Sequence, residues 1–338
     1  INEEGIKRIY NELQNKYFNN PYIISNCINC YKEGLNHLIE LINSKDFKNP
    51  ENLRDISYGS KRLLCNLTNW VLYNKEIFYS IPQEGMQSFF KLIELLITTV
   101  SVPEQYEMNF DLNGSNTIHF ENLIFYPLSI PLKDIEYETF ENYLPLLVLI
   151  SKEEKYLSFL TKKYNNISIF DVMKRLFGYI YLNNDSTDED RINNPSLDSL
   201  FIYYCLIIIA NLIKEAINND DITNLILLNF KKYRSSVQFT EEVPNGIMTV
   251  LLKISENLEG NQKMADFIFC SKNNIINDCI KFYVRNNKCY ELVMQFLLNI
   301  FEYKNYYKIE NVNPDNIIQC FVNGLDSKDR EICNKSII

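Results

Sequence analysis

Apolar residues recur every three or four positions along most of this chain, which is the spacing of an amphipathic helix. The clearest stripe consists of Ile247, Val250, Leu251, Ile254 and Leu258, and Gly260 follows it as a residue suited to end a helix. Similar patterns predict helices at 6–17, 30–43, 57–73, 89–100, 144–150, 154–163, 169–182, 262–270, 274–285 and 289–303. Only 9 Gly and 10 Pro are present in 338 residues, so the tight turns of an all-β fold are scarce and we predict an all-α fold.

The helical pattern is interrupted after Val100. Residues 101–130 contain Pro103, Asn113-Gly114, Pro127 and an aromatic run, and such turn signals are typical of irregular structure. The predicted organisation is an N-terminal helical subdomain at 1–100, an irregular insertion at 101–135 and helical repeats at 136–338.

A second interruption lies within the predicted repeats. Residues 183–195 are polar and acidic and show no periodicity, so we expect a mobile exposed loop there. Ser196 is then expected to cap the apolar helix that follows, with Pro195 just outside that helix.

An asparagine followed by Leu or Ile recurs deep in the apolar helical segments. These residues are Asn66, Asn211, Asn257 and Asn299. The last three are separated by 46 and 42 residues, and recurrence at roughly 40–47 residues is the signature of stacked helical repeats of the armadillo or HEAT type.

The segment Ile254-Ser-Glu-Asn257-Leu-Glu-Gly-Asn-Gln262, followed by Ile275-Ile276 and by Leu297-Leu298-Asn299-Ile300, resembles an armadillo repeat. The segment from Lys61 to Leu67 looks similar. In that family a long third helix ends in such a segment and a glycine turn begins the next repeat. The resemblance implies an armadillo-like right-handed α-solenoid.

The resemblance also implies a role for the four asparagines. In peptide-binding members, third-helix asparagines line a concave groove and bond the backbone of an extended ligand, because their side chain offers both donor and acceptor. Asn66, Asn211, Asn257 and Asn299 are therefore candidate partner-binding residues. The alternative is that they cap local backbone groups or bridge neighbouring repeats. The only tryptophan, Trp70, follows Asn66 by one turn, whereas the import-receptor pattern places a tryptophan before the asparagine.

Charge and hydropathy argue against two classes of partner. The net charge is −9 and the basic residues are scattered, so the basic stripe that binds nucleic acid is missing. The most apolar run, Leu200 to Ala210, is too short for the ~20 residues that span a bilayer, and we expect no membrane span. Since the chain begins at Ile1 rather than Met, we expect a fragment or a processed product.

The cysteines predict neither a metal site nor a disulfide. Nine is an odd number, which favours a reducing, cytoplasmic location. Cys27 and Cys30 form a C-x-x-C pair with His37 nearby, but a structural zinc site needs four ligands and no second pair follows. We therefore expect no metal, no cofactor and no required disulfide.

Catalytic motifs are also missing. The two histidines, His37 and His119, are far apart, and no Gly-rich phosphate loop or G-x-S-x-G elbow occurs. The carboxylate pairs Glu153-Glu154 and Glu241-Glu242 lie in segments with a solvated pattern. We expect the protein not to be an enzyme.

These observations favour a non-catalytic scaffold that presents a helical surface to a protein partner. The order of a helical section, an interruption and a repeat-like half is similar to the GTPase-binding armadillo regulatory region of formins, which regulate the actin cytoskeleton. That resemblance implies a GTP-loaded Rho-type GTPase as partner, with Arg54, Lys61 and Arg62 supplying complementary charge. The alternative is an exchange factor for G proteins or for chaperones built on the same repeats.

Overall fold

A computed structural model describes residues 72, 75–81, 86, 87, 89–91, 93, 94, 122–131, 137–163, 166–183, 195–233, 242–283, 289–303 and 314–325. These residues are mostly helical and form no strand, which confirms the all-α class for this part of the chain. None of the helices found there is both long enough and apolar enough to cross a bilayer.

The helices run in the following order: α1 Lys75–Ser80, α2 Tyr126–Ser129, α3 Tyr137–Lys152, α4 Glu154–Thr161, α5 Ile169–Asn183, α6 Pro195–Asn211, α7 Ile213–Ala216, α8 Asp220–Tyr233, α9 Glu242–Ser255, α10 Gln262–Phe269, α11 Ile275–Asp278, α12 Tyr290–Glu302 and α13 Pro314–Leu325. A π-helical turn, Cys279–Tyr283, continues α11.

The chain divides into two compact units, and the first comprises Ile1–Tyr126 and Lys133–Leu146. Its described core is built on aromatic side chains. The phenol of Tyr143 donates to the Ile124 carbonyl at 2.6 Å, and the buried Asn122 amide donates to the Leu72 carbonyl at 2.8 Å. These bonds satisfy polar groups that burial would otherwise penalise. The aromatic residues of this core are Phe78, Phe89, Phe90, Phe125, Tyr126, Phe140 and Tyr143.

The second unit comprises Pro127–Leu132 and Leu147–Ile338, and α6 is its most apolar helix. This helix is apolar on every side, and its residues from Cys205 to Ala210 are all buried. A helix of this kind is stable in water only when other helices surround it. Its most extensive described contact is with α9, which also packs against α12.

Helices α9 and α12 run parallel, because contacts join them near both ends. Near their starts, the Cys289 thiol lies 3.0 Å from Oδ1 of Asn245. Near their ends, Nδ2 of Asn299 lies 3.0 Å from the hydroxyl of Ser255. Both contacts join residues 44 positions apart, so the two helices keep one register along their length.

The structure corrects three predicted boundaries. Residues 122–124 are helical and α2 follows, so this part of the expected insertion is not irregular. Pro127 is compatible with α2 because it lies in the first helical turn, where the backbone N–H has no partner within the helix. Helix α6 begins at Pro195 rather than after a Ser196 cap, as proline suits the first helical position. Helix α9 ends at Ser255, and Gly260 instead forms the turn before α10 with φ +81°.

The remaining boundaries either agree or lie outside the described residues. Helices α4, α5, α10 and α12 match their predicted segments to within a few residues. The predicted segments 6–17, 30–43 and most of 57–73, and all but the ends of the predicted loop at 183–195, fall outside the described part of the chain.

Candidate partner-binding surface

Three of the predicted partner-binding residues lie near the ends of helices in the second unit. Asn211 is the last residue of α6, Asn299 lies in the last turns of α12, and Asn257 follows α9 by two residues. All three side chains are half-buried. The other predicted site residues, Asn66, Arg54, Lys61 and Arg62, are outside the described residues.

Asn211 connects α6 to α3 through a serine. Its Nδ2 donates to the hydroxyl of Ser151 at 2.8 Å, across 60 residues of sequence. Ser151 is buried, and its hydroxyl in turn donates to the Val148 carbonyl one turn earlier at 2.9 Å. The asparagine therefore completes the hydrogen bonding of a buried hydroxyl on another helix.

Asn299 connects α12 to α9 in the same way. Its Nδ2 donates to Ser255 at 3.0 Å, and the Ser255 hydroxyl donates to the Leu252 carbonyl at 2.7 Å. Its Oδ1 accepts from Nε2 of Gln295 at 3.1 Å. We call the Asn211–Ser151 and Asn299–Ser255 pairs the Asn–Ser bridges.

Asn257 does not form such a bridge. Its Nδ2 donates to the carbonyl of Lys253 within its own segment at 2.8 Å.

The packing of α6 on α9 depends on the absence of a side chain at Gly246. A Cβ at this position would lie 3.2 Å from atoms of Leu206 and Tyr203, so the two helix backbones approach closely here.

The sequence arguments missed both serines of the bridges. Each ends a Leu-x-x-Ile-Ser segment, Leu147–Ser151 in α3 and Leu251–Ser255 in α9. A search of the sequence for this five-residue pattern finds both, together with Leu53–Ser57. The pairing itself depends on helix register, which the pattern alone does not supply.

The Asn299–Ser255 bridge brings Asn299 close to Asn257 at the C-terminal end of α9. Exposed polar residues surround them, including Glu256, which forms a 2.7 Å ion pair with Lys253. The other exposed polar residues of this end are Glu259, Gln295 and Glu302, and Phe301 is an exposed apolar residue beside Glu302. The surface thus offers amide donors and acceptors in an acidic setting, which is suited to a polar partner.

The described residues offer little that would support covalent chemistry. Burial raises the pKa of the Cys205 and Cys279 thiols and raises that of Cys289 to about 12, so these thiols stay protonated and poorly nucleophilic near neutral pH. Within the described ranges, no group of three or more His, Cys, Asp and Glu residues is placed to hold a metal ion. A pocket between α10 and α11 has a volume of about 220 Å³, which is below the usual size of a ligand site.

Comparison with models of known protein families, with curated proteins and with solved structures finds no match for this chain.

Proposed function

We propose that this chain is a non-catalytic helical-repeat scaffold, an armadillo-like right-handed α-solenoid that binds a protein partner. The observation that carries the proposal is the common register of α9 and α12. Two contacts, one near each end, join residues 44 positions apart. This interval lies between the 46 and 42 residues that separate Asn211, Asn257 and Asn299 in the sequence. Parallel helices separated by an interval of this size are what stacked repeats produce.

The proposed contact surface is the C-terminal end of the parallel helices, around Asn257 and Asn299. A side-chain amide carries two hydrogens and a carbonyl with two lone pairs. An Asn–Ser bridge uses one of these hydrogens, so the same asparagine can bridge two helices and also bond a partner. Asn299 can have this double role, whereas Asn257 bonds only within its own segment. Both side chains are half-buried, so a partner can reach part of each.

The proposed partner is a GTP-loaded Rho-type GTPase, met in the cytoplasm as in formins. This part of the proposal rests on the resemblance of the sequence. Arg54, Lys61 and Arg62 place basic charge in a chain whose net charge is −9. A GTPase of this class presents acidic and apolar switch surfaces, which such a basic group would steer toward the N-terminal part of the chain.

The test is binding of the purified chain to Rho-type GTPases loaded with a GTP analogue or with GDP. A scaffold binds the GTP-analogue form and leaves nucleotide release unchanged. Faster release together with preference for the empty GTPase would instead identify an exchange factor. Failure to bind any member in either state would remove the GTPase from the proposal.

Charge reversal locates the contact. The double variant Lys61→Glu/Arg62→Glu is expected to lower affinity at least tenfold through loss of electrostatic attraction. The matched control is Lys162→Glu/Lys163→Glu, which changes the charge equally at two exposed residues after α4. Equal losses in the two variants would show a general charge effect and contradict a local contact.

A further inference from the structure

The pocket between α10 and α11 has room for a single aromatic side chain. Its volume is about 220 Å³, whereas a cavity of about 150 Å³ is enough to bind benzene. It is too small for a drug-sized molecule, so the occupant that fits it is one side chain of another protein rather than a cofactor.

The lining of this pocket combines buried apolar residues with exposed polar ones. Ile268, Ile275 and Ile276 are buried, whereas Ser271 and Asn274 are exposed. None of the described lining residues is Lys, Arg, His, Asp or Glu, so an ion pair with the lining cannot hold the occupant. The lining therefore suits a neutral group that is apolar along its length and polar at its tip, as a tyrosine side chain is.

The turn that forms the pocket is held by its own hydrogen bonds. Nδ2 of Asn273 donates to the Phe267 carbonyl at 2.9 Å, and the Asn273 backbone N–H donates to the Cys270 carbonyl at 2.9 Å. Asn274 has a left-handed backbone with φ 54°, and its Nδ2 donates to Oδ1 of Asp278 at 2.9 Å. The pocket is therefore preformed, which lowers the entropic cost of filling it.

Asn277 supplies a hydrogen-bond acceptor to the lining. Its Nδ2 donates to Oδ1 of Asn274 at 3.0 Å, which uses one of its two amide hydrogens. Its Oδ1 accepts no hydrogen bond from the described part of the chain. Since Asn277 is half-buried and lines the pocket, this oxygen can accept from a hydroxyl group that enters.

The pocket is continuous with the proposed contact surface around Asn299. The ring of Phe269, which lines the pocket, stacks on the ring of Tyr303 with centroids 5.7 Å apart and planes at 20°. Tyr303 is the C-cap of α12 and follows Asn299 by four residues. Phe301 lies between them in the sequence and is 40% exposed. A protein segment that contacts Asn299 can therefore also reach the pocket.

We propose that this pocket binds one tyrosine side chain of the protein partner. The ring lies against Ile275, Ile276 and Phe269, and the phenol hydroxyl donates to Oδ1 of Asn277. Tyrosine is enriched among the anchor residues that fill pockets at protein interfaces. A phenylalanine in the same place would remove water from the Asn277 oxygen without replacing its hydrogen bond. The inference rests on the proposed scaffold function for the source of the tyrosine.

The test uses N-acetyltyrosine amide as an uncharged probe and N-acetylphenylalanine amide as its matched control. Cys270 lines the pocket and is half-buried, so an occupant shields its thiol from iodoacetamide. Mass spectrometry measures the alkylation rate of the peptide that carries Cys270, and the peptides that carry the other cysteines provide the reference. We expect the tyrosine probe at about 1 mM to slow alkylation of Cys270 about twofold. Absence of protection by either probe would overturn the proposal.

The phenol contact is tested by the difference between the two probes. The tyrosine probe should bind the wild-type chain about threefold to tenfold more tightly than the phenylalanine probe, which is the effect of one hydrogen bond. Asn277→Ala should remove this difference and leave the affinity for the phenylalanine probe unchanged. The matched control is Asn224→Ala, which removes an exposed asparagine from α8. Equal affinity of the wild-type chain for both probes would exclude the contact with Asn277, however the variant folds.

The complex with a partner separates this inference from the proposed function. Cys270 should be alkylated more slowly in a complex with a GTPase loaded with a GTP analogue than in the free chain. A complex that forms but leaves Cys270 unprotected would exclude the pocket from the interface and leave the scaffold function in place. Binding of the tyrosine probe without any GTPase complex would support the pocket and remove the GTPase from the proposed function.

Discussion

Asn299 donates to the hydroxyl of Ser255 and lies 44 positions after it in the sequence. The same separation joins Asn245 and Cys289 at the opposite ends of the same two helices. Two polar contacts in one register restrict the position of α12 along α9 more than apolar packing does, because apolar side chains tolerate small shifts along a helix. A sliding movement of α12 along α9 would break both contacts together. The Asn–Ser bridge therefore contributes to register as well as to stability.

The first prediction concerns this bridge. Asn299→Ala is expected to lower the free energy of unfolding by about 1 kcal/mol, because the net contribution of a hydrogen bond is of that size. A double-mutant cycle with Ser255→Ala should give a coupling energy of similar size. Urea denaturation of the four proteins measures both quantities.

Asn257→Ala is the control for the bridge. Its side chain bonds a carbonyl of its own segment, so we expect a change within about 0.5 kcal/mol. If Asn299→Ala and Asn257→Ala lower the free energy of unfolding by the same amount and the coupling energy is zero, the bridge does not stabilise the fold. Partner affinity measured on the same variants then separates a binding role from a structural one.

The second prediction compares two helical glycines. Gly246→Ala places a Cβ 3.2 Å from Leu206 and Tyr203, and overpacking of this kind costs about 1–3 kcal/mol. The better helix propensity of alanine offsets this by no more than about 1 kcal/mol. A net loss of about 1 kcal/mol in the free energy of unfolding is expected in urea denaturation.

Gly178→Ala provides the comparison within α5. No atom lies within 4 Å of a Cβ at that position, so only the propensity gain of about 0.5–1 kcal/mol remains. The two substitutions should therefore change stability in opposite directions. Stabilisation by both would mean that α6 and α9 are not closely packed at Gly246.

Some helices could be predicted from the sequence because the residues that indicate them lie close together in the chain. Helix α10 could be predicted from its apolar spacing, and Asn261 accepts from the Met264 amide as an N-cap should. Helix α8 was missed although Ile222, Ile226 and Phe230 are spaced at four-residue intervals and are buried.

Other features depend on relations between distant residues. Asn211 and Asn299 were identified by their repeat, but their partners Ser151 and Ser255 lie 60 and 44 residues away. Which serine meets which asparagine is decided by how far one helix is displaced along another. The close approach at Gly246 depends on the same displacement, and a single isolated glycine gives no indication of it.

The third prediction concerns Gly260, whose φ of +81° is strained for residues with a side chain. Gly260→Ala is expected to lower the free energy of unfolding by about 1 kcal/mol. No atom within 4 Å would meet the new Cβ, so the cost is purely conformational. Gly260→Asn should cost less, since asparagine adopts this conformation more readily. Equal stability of wild type and the alanine variant would show that the turn has a different backbone conformation.

The fourth prediction concerns pH. Burial raises the pKa of the Cys205 thiol in the folded state, whereas an unfolded thiol ionises near pH 8.5. The stabilisation from this difference is complete below about pH 8.5 and decreases as the pH rises toward the folded pKa, because only the unfolded chain then loses the proton. The free energy of unfolding should fall by about 1 kcal/mol per buried thiol between pH 8.5 and 9.5.

Cys205→Ala tests the contribution of one thiol. Its stability should fall less steeply over that pH interval than that of the wild type, by about 1 kcal/mol. Urea denaturation at pH 7.5, 8.5 and 9.5 measures the difference. Parallel pH profiles for the two proteins would show that Cys205 ionises alike in the folded and unfolded states.

The all-round apolar surface of α6 has a consequence for synthesis on the ribosome. Its largest described partner, α9, ends at Ser255, 44 residues after Asn211. At about 5–20 residues per second, translation of that interval takes about 2–9 seconds. During this time a 17-residue apolar segment has left the ribosome ahead of the helix that covers it. The nascent chain is therefore expected to need a chaperone at this stage. Slowly translated codons in the segment between α6 and α9 would lengthen the time for which α6 is uncovered.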